Sequence, residues 1–286
     1  EDRGGQQRID PADDRGQTYF VNYLSLGLIS YAGLVDQSEP ERIEFVPVAS
    51  DFHQLMKTAV ERGDSVAIQQ LLDQPAVSPA AATQLVDDTL TVIVRTSTFQ
   101  RNQTQLYLVL TIDRQRPREL GITVYHPNQT AASLRVAMIG ATYGNLARLR
   151  AVELATGVTL APELFANGQP NRECFFAART FPINALPRTA DGLVQVTAWN
   201  DEDGEWQGDR GPAAPYYGYP KFAQYWRAQP MAELKLLVNG RQNYFGGFAN
   251  PCGGGQITGG VSFENFQLVQ PFSNGQTVWF GYQPLP

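Results

Sequence analysis

Apolar residues recur at helical spacing in the region that follows residue 50. The segment 51–63 starts with Asp51 and Gln54 in capping-box positions and reaches Gly63, a residue type that often follows a helix end. Its apolar residues fall on one helical face, namely Phe52, Leu55, Met56, Ala59 and Val60. A second helix is predicted over 64–74, and a third is predicted to begin at Ser78.

From Thr89 onward, apolar residues recur at every second position. Segments 89–97, 103–113 and 119–127 place Leu, Val and Ile at alternate positions, which predicts a three-strand antiparallel meander. A strand at 133–138 is predicted to follow, and 142–157 is predicted to be a helix because Leu146, Leu149, Val152 and Leu154 suggest a helical stripe. The apolar run Tyr19–Leu34 predicts a buried helix or a pair of strands. The first half is therefore predicted to be α+β.

Short strand patterns dominate after the polar run 166–173, where turn residues multiply. Strands are predicted within 192–199, 258–269 and 276–283, and Asn239-Gly240 predicts a two-residue hairpin turn. We therefore expect a mainly β second half with a sandwich or jelly-roll-like arrangement. The predicted organisation is a flexible arm over 1–16, an α+β domain over 17–168 and a β-sandwich-like domain over 169–286.

Composition and charge narrow the classes of function. With 286 residues, 43% apolar and 17% charged, the chain can bury a large core. A net charge of -6 argues against nucleic acid as the main partner, since such binders present a basic face. The run Tyr19–Leu34 is shorter than a membrane span and contains polar residues. A chain that opens at Glu1 is also what removal of a secretion signal would leave, which favours a secreted, cell-surface or periplasmic location.

Two cysteines, Cys174 and Cys252, are the only ones in the chain. In an exported protein they could form one disulfide, and otherwise they would be two buried thiols. The sequons at Asn102 and Asn128 would accept glycans if the protein is secreted by a eukaryote.

The stretch WNDEDGEWQGD, at 199–209, concentrates carboxylates. Asp201, Asp203 and Asp209 could gather oxygen ligands around Ca²⁺ near the sharp turn that Gly204 allows. The stretch departs from the EF-hand loop, because Trp199 occupies the first ligand position and Arg210 the last. No other cofactor is indicated.

The same carboxylates could serve glycoside hydrolysis, which needs one protonated and one ionised carboxyl group on opposite sides of the scissile bond. Asp203 and Glu205 are the candidates, with Glu233 or Glu264 as a partner from elsewhere in the chain. The plain alternative is a solvated acidic loop.

Aromatic residues crowd this region at spacings that fit neither one helix face nor one strand face. Exposed rings stack on the apolar faces of sugars, while nearby carboxylates accept hydrogen bonds from sugar hydroxyls. The alternative is that the rings fill the seam between the two halves. The candidate ligand-binding rings are Trp199, Trp206, Tyr216, Tyr217, Tyr219, Tyr225 and Trp226.

Other chemistry receives less support from the sequence. His53 and His126 stand without a zinc-binding pattern, and the chain has no GxSxG motif. The glycine-rich run 246–260 lacks the GK[ST] ending of a phosphate-binding loop. The leading hypothesis is therefore a secreted or surface-associated protein that binds glycan or polysaccharide. The alternatives are a self-assembling shell, coat or surface-layer subunit and a glycoside hydrolase that uses the same cleft.

Overall fold

The computed structural model describes residues 7–10, 19–30, 33–38, 40–45, 52–72, 89–96, 106–126, 136–143, 150–172, 174–199, 222–243 and 261–284. The strands in these ranges are β1 (Gln7–Asp10), β2 (Tyr19–Ser30), β3 (Gly33–Ser38), β4 (Pro40–Phe45), β5 (Thr89–Thr96), β6 (Tyr107–Asp113), β7 (Glu119–Tyr125), β8 (Val136–Tyr143), β9 (Ala151–Leu154), β10 (Gly157–Leu160), β11 (Arg179–Pro182), β12 (Val194–Trp199), β13 (Phe222–Ala228), β14 (Lys235–Arg241), β15 (Ser262–Pro271) and β16 (Gln276–Pro284). The helices are α1 (Phe52–Arg62), α2 (Ser65–Leu72) and α3 (Ala161–Leu164), with a 3-10 helix at Ile183–Ala185. The described part of the chain is thus mainly β-structure with few helices.

The chain divides into two compact units. Unit 1 contains Glu1–Tyr23, Gly140–Val269 and Gly281–Pro286, and unit 2 contains Leu24–Ile139 and Gln270–Phe280. Each unit therefore combines segments that are distant in sequence. The domain borders predicted above stay predictions, and part of the predicted N-terminal arm forms β1.

In unit 2, β4, β5, β6 and β7 are neighbours in that order, and the first part of β16 lies beside β7. The β5–β6 and β6–β7 pairs are antiparallel and in continuous register, which confirms the predicted meander. All seven residues of β7 are buried, because this strand is covered on both faces. The early apolar run is an antiparallel strand pair, β2 with β3.

The helices α1 and α2 confirm the first two predicted helices. Gly63, with φ +68, ends α1 and allows the chain to turn directly into α2. Ala59 and Ile68 of this helix pair pack with Val109 and Tyr125 of the meander in one buried cluster. The helix pair therefore packs on the face of β6 and β7 that carries Val109 and Tyr125, and the alternating residues Leu108 and Ile122 are buried on the opposite face.

Unit 1 contains strands of two sheets. In the first sheet the order is β10, β9, β12, β13 and the end of β16. In the second sheet the order is β1, β2, β8, β15, β14 and β11, where only parts of β2 and β8 belong to this unit. The indole nitrogen Nε1 of Trp226, on β13, donates a hydrogen bond to the Phe266 carbonyl of β15 at 2.8 Å. Both residues are fully buried, so the contact lies in the core of the unit.

The helix predicted over 142–157 is wrong in its described part, because Ala151–Leu154 and Gly157–Leu160 form the antiparallel strands β9 and β10. Ala151, Val152 and Leu154 are buried while Glu153 is exposed, which is an alternating pattern. β9 also pairs with β12, through Ala198↔Val152 and Trp199↔Ala151. This partner from another part of the chain outweighs the local helical pattern.

The hairpin turn predicted at Asn239-Gly240 is also wrong, because β14 continues through both residues to Arg241. The register between β14 and β15 shifts between Asn239 and Gly240, which marks a bulge. A Cβ atom on Gly240 would lie 2.5 Å from Cε2 of the Phe165 ring. Glycine is needed there for close approach of a ring, and not for a turn.

Candidate functional site

Residues 200–221 connect β12 to β13, and we call this segment the insert. It contains most of the predicted site residues, which lie outside the described residues: Asp201, Asp203, Glu205, Trp206, Asp209, Tyr216, Tyr217 and Tyr219. The two strands that carry it are paired antiparallel from Val194↔Ala228 to Trp199↔Ala223. Both ends of the insert are therefore held next to each other at one end of this strand pair.

Trp199 is the last residue of β12 and is half-buried. Its carbonyl oxygen accepts a hydrogen bond from the Arg150 backbone N–H at 3.0 Å. Trp199 also pairs with Ala151 of β9, so the strand end is held from both sides. The point at which the insert leaves the sheet is thus a fixed one.

Tyr225 lies on the same face of the β12–β13 pair as Trp199. The register pairs Trp199 with Ala223 and Thr197 with Tyr225, and side chains two residues apart on a strand share a face. Trp199 and Tyr225 are consequently diagonal neighbours, a separation of about 7–8 Å that large rings can bridge. Tyr225 is half-buried and packs over Gly281, where a Cβ atom would overlap its phenol group.

Trp226 points to the opposite face and does not belong to the site. Its side chain has no exposed surface, and its one hydrogen-bond donor is used by the Phe266 carbonyl. A fully buried indole presents no ring face to a ligand in this conformation, and the assignment of Trp226 as a binding residue stays a prediction. Of the candidate rings in the described residues, Trp199 and Tyr225 share one face of the sheet, and the Tyr225 phenol lies over Gly281 on the side of β13 away from β12.

Glu233, one of the two candidate catalytic partners, is exposed in the turn that follows β13, at the end of that strand opposite to the attachment of the insert. The side chain of Glu264 lies outside the described residues, as do those of Asp203 and Glu205.

Sequence reasoning missed Arg150, which is buried and immediately precedes β9. Its backbone N–H contacts Trp199 and its carbonyl accepts the Ala161 N–H at 2.5 Å. The backbone of Arg150 thus fixes the strand end from which the insert leaves. Its local pattern gave no indication of this role, because Arg150 falls in the segment that was predicted to be a helix.

Cys174 adopts φ 64, a left-handed conformation that is uncommon for residues other than glycine. Its carbonyl accepts the Gln242 N–H at 3.1 Å, and the neighbouring Phe176 N–H donates to Gly240 at 2.9 Å. Cys174 is therefore held beside the end of β14, from which the chain continues toward Cys252. Cys252 lies outside the described residues, and the pairing of the two cysteines stays a prediction.

Metal and histidine sites find no support in the described residues. Within those ranges no group of three or more His, Cys, Asp or Glu side chains is arranged to hold a metal ion. The predicted calcium ligands lie outside them. His126 is buried at the end of β7, where its backbone is hydrogen-bonded by Asn274, and the side chain of His53 is not described.

In the part of the chain that the structure describes, no helix has the length and apolar character needed to cross a membrane. Comparison with known proteins found no matching family model, no similar curated protein and no similar solved structure. The functional argument therefore depends on the residues of this chain alone.

Proposed function

We propose that this protein binds glycan or polysaccharide through Trp199, Tyr225 and the insert at 200–221. The observation that carries the proposal is the register of β12 and β13, which places two half-buried rings on one face beside the attachment of the insert. Connections longer than about 12–15 residues between neighbouring strands are uncommon and often carry function. This one is rich in the side chains from which glycan sites are built.

The chemistry assigns two roles. Trp199 and Tyr225, with Trp206, Tyr216, Tyr217 and Tyr219, supply flat apolar surface for the carbon-bound hydrogens of a sugar ring. Carboxylates of the insert accept hydrogen bonds from sugar hydroxyls and fix the orientation of the ring. Asp201, Asp203 and Asp209 form the calcium site of the proposal, which would hold the insert in its binding conformation. Trp226 is left out of this site because it is buried.

In this proposal the C-terminal half forms a sandwich or jelly-roll-like arrangement, and residues 17–168 form an α+β domain. The protein would act outside the cell, where the predicted disulfide between Cys174 and Cys252 would persist.

The decisive variant replaces residues 201–221 with Asn-Gly, so that β12 and β13 are joined by a two-residue hairpin turn. Its circular dichroism spectrum should match that of the full chain, because the pairing up to Trp199↔Ala223 does not use the insert. On an array of immobilised bacterial, fungal and plant oligosaccharides, the full chain should bind and the variant should not. Absence of binding by the full chain would contradict the proposal, as would equal binding by the variant.

A single-residue test uses Trp199→Ala, with Phe181→Ala as the matched control. Phe181 is also a half-buried ring of unit 1, but it lies on the edge strand β11. Loss of Trp199 stacking should weaken binding to a glycan selected from the array by about tenfold or more, equivalent to ~1.4 kcal/mol. The control should bind as the full chain does. Chelation of calcium with EGTA tests the metal part of the proposal separately.

The alternatives give different results in the same preparations. A glycoside hydrolase would release reducing sugar from the bound polysaccharide, and the Asp203→Asn, Glu205→Gln double variant would stop this release while leaving binding measurable. A self-assembling shell or surface-layer subunit would form large particles in light scattering at high protein concentration, with or without the insert.

A further inference from the structure

Unit 1 contains a cleft of about 550 Å³ between the turn that joins β9 to β10 and the 3-10 helix at Ile183–Ala185. This volume falls within the range of small-molecule sites. The residues that matter for its chemistry are Glu153, Leu154, Ile183, Asn184, Pro187 and Arg188. None of these residues belongs to the site proposed above.

The two walls of the cleft are joined. The Ala155 N–H of the β9–β10 turn donates to the Ala185 carbonyl at 2.9 Å, and the Leu186 N–H closes the 3-10 helix onto Ile183 at 3.2 Å. Leu186 is buried beneath the cleft. Gly157, with φ +117, supplies a backbone conformation that side-chain-bearing residues rarely adopt, and this allows the tight turn. The cleft is therefore formed by the fold itself and needs no ligand to shape it.

Opposite charges face the cleft without neutralising each other. Glu153 is the exposed residue of the otherwise buried strand β9. Arg188 is exposed, and its backbone forms an isolated antiparallel β-bridge with Val194. One terminal nitrogen of its guanidinium group donates a hydrogen bond to the Gly192 carbonyl at 3.4 Å. The two side chains form no ion pair with each other. Both residues line the cleft, so the carboxylate and the guanidinium donors that Gly192 does not use are available to a bound molecule.

The other lining residues indicate the body of the ligand. Ile183 and Pro187 supply aliphatic surface, and the lining residues include no aromatic ring on which a sugar could stack. Asn184, which is exposed, adds a neutral hydrogen-bonding group. A cleft with a carboxylate, a guanidinium and aliphatic walls is complementary to a molecule that carries an ammonium group, a carboxylate and an aliphatic side chain.

We propose that this cleft is a binding site for a small zwitterion of the α-amino-acid class with an aliphatic side chain. Glu153 binds the ammonium group, Arg188 binds the carboxylate, and Ile183 and Pro187 contact the side chain. This site is separate in its residues from the glycan site, so either proposal can fail without the other.

The test measures binding of L-leucine, leucinamide and N-acetyl-leucine by calorimetry or by NMR shifts of the full chain. Leucine carries both charges, leucinamide lacks the carboxylate, and N-acetyl-leucine lacks the ammonium group. Glu153→Gln should weaken leucine by about tenfold or more and leave N-acetyl-leucine unchanged. Arg188→Gln should weaken leucine similarly and leave leucinamide unchanged.

The matched controls are Glu233→Gln and Arg179→Gln, which remove exposed charges of the same kinds away from the cleft. Both should bind leucine as the unmodified chain does. The proposal would be overturned if leucine showed no saturable binding up to roughly 10 mM, because weaker association would not indicate a specific site. Equal binding by all four variants would overturn it as well. Circular dichroism verifies that each variant is folded.

Discussion

At the scale of single residues, Gly240 and Phe165 show how a local signal can be misinterpreted. Asn-Gly is a strong hairpin signal, yet the glycine serves here to admit a ring. Phe165 is buried and tilted against Phe176, with ring centroids 5.6 Å apart. The ring has packed neighbours and little room to move, so an added methyl group has to displace it.

We therefore expect Gly240→Ala to lower the free energy of unfolding by about 1–3 kcal/mol, as overpacking of a filled core does. The measurement is urea unfolding followed by circular dichroism. In a Phe165→Leu background the same substitution should cost less, because the smaller side chain leaves space for the methyl group. An equal cost in both backgrounds would show that the contact with Phe165 is not the cause.

Tyr125 provides the second prediction at this scale. Burial raises the pKa of its hydroxyl from 10.0 to about 12. Below pH 10 the phenol is protonated in both the folded and the unfolded chain, so it adds no pH dependence. Between pH 10 and 12 the unfolded chain releases the proton while the folded chain keeps it, and the free energy of unfolding falls as the pH rises.

The fall due to this group should be on the order of 2 kcal/mol across that window. Urea midpoints at pH 8, 10 and 11.5 should therefore drop less in Tyr125→Phe than in the unmodified chain. Parallel pH profiles of Tyr125→Phe and the unmodified chain would contradict the assignment.

At the scale of elements, the end of β7 is fastened by the turn that precedes β16. The Asn274 side chain accepts the His126 N–H at 2.7 Å and donates to the His126 carbonyl at 3.0 Å. The Gly275 N–H donates to Val124 at 2.9 Å. Asn-Gly does mark a turn here, since the Gln276 N–H donates to the Ser273 carbonyl at 3.1 Å and Gly275 has φ +79.

We expect Asn274→Ala to lower the free energy of unfolding by about 1–3 kcal/mol, because it removes two hydrogen bonds and leaves partly buried backbone groups unpaired. Ser273→Ala is the control, since this exposed neighbour contributes to the turn through its backbone carbonyl. Amide hydrogen exchange should also increase at His126 in the Asn274 variant alone. Unchanged protection of the His126 amide would show that the Asn274 hydrogen bonds do not stabilise the end of β7.

Element prediction succeeded where the pattern and the tertiary partner agreed. Ala59 and Val60 of the α1 stripe join the core cluster. The alternating residues of the meander, such as Leu108 and Ile122, are buried on the strand face opposite to Val109 and Tyr125. Prediction failed at 151–154, where Ala, Val and Leu suit either a helix or a strand and the pairing with β12 decided the outcome. Short apolar runs of this kind are ambiguous without their partners.

At the scale of the whole molecule, contacts join segments that are far apart in the chain. In unit 2, Thr123 and Thr277 share a hydrogen bond of 2.7 Å between their hydroxyl oxygens. In unit 1, the hydrogen bond from Trp226 to the Phe266 carbonyl joins strands of two different sheets. The sequence contains no local record of such pairings, because their stabilisation depends on which surfaces the folded chain brings together.

The candidate site shows the same division. The sequence identified the aromatic and acidic composition around residues 199–226. It could not separate Trp226, which is core, from Tyr225, which shares a face with Trp199, because adjacent residues on a strand point to opposite sides. Glu153 and Arg188 escaped notice because only the fold makes them line one cleft.

Local sequence patterns alone predict the β-rich character, the two helices that follow residue 51 and the strands of the meander. Those features are set by local periodicity and by the residues at element ends. The tertiary structure alone decided that Ala151–Leu154 is a strand, that Gly240 accommodates a ring and that Trp226 is buried. Each of these depends on a neighbour supplied by another part of the chain, and such a neighbour changes the free energy of a local conformation more than local preference does.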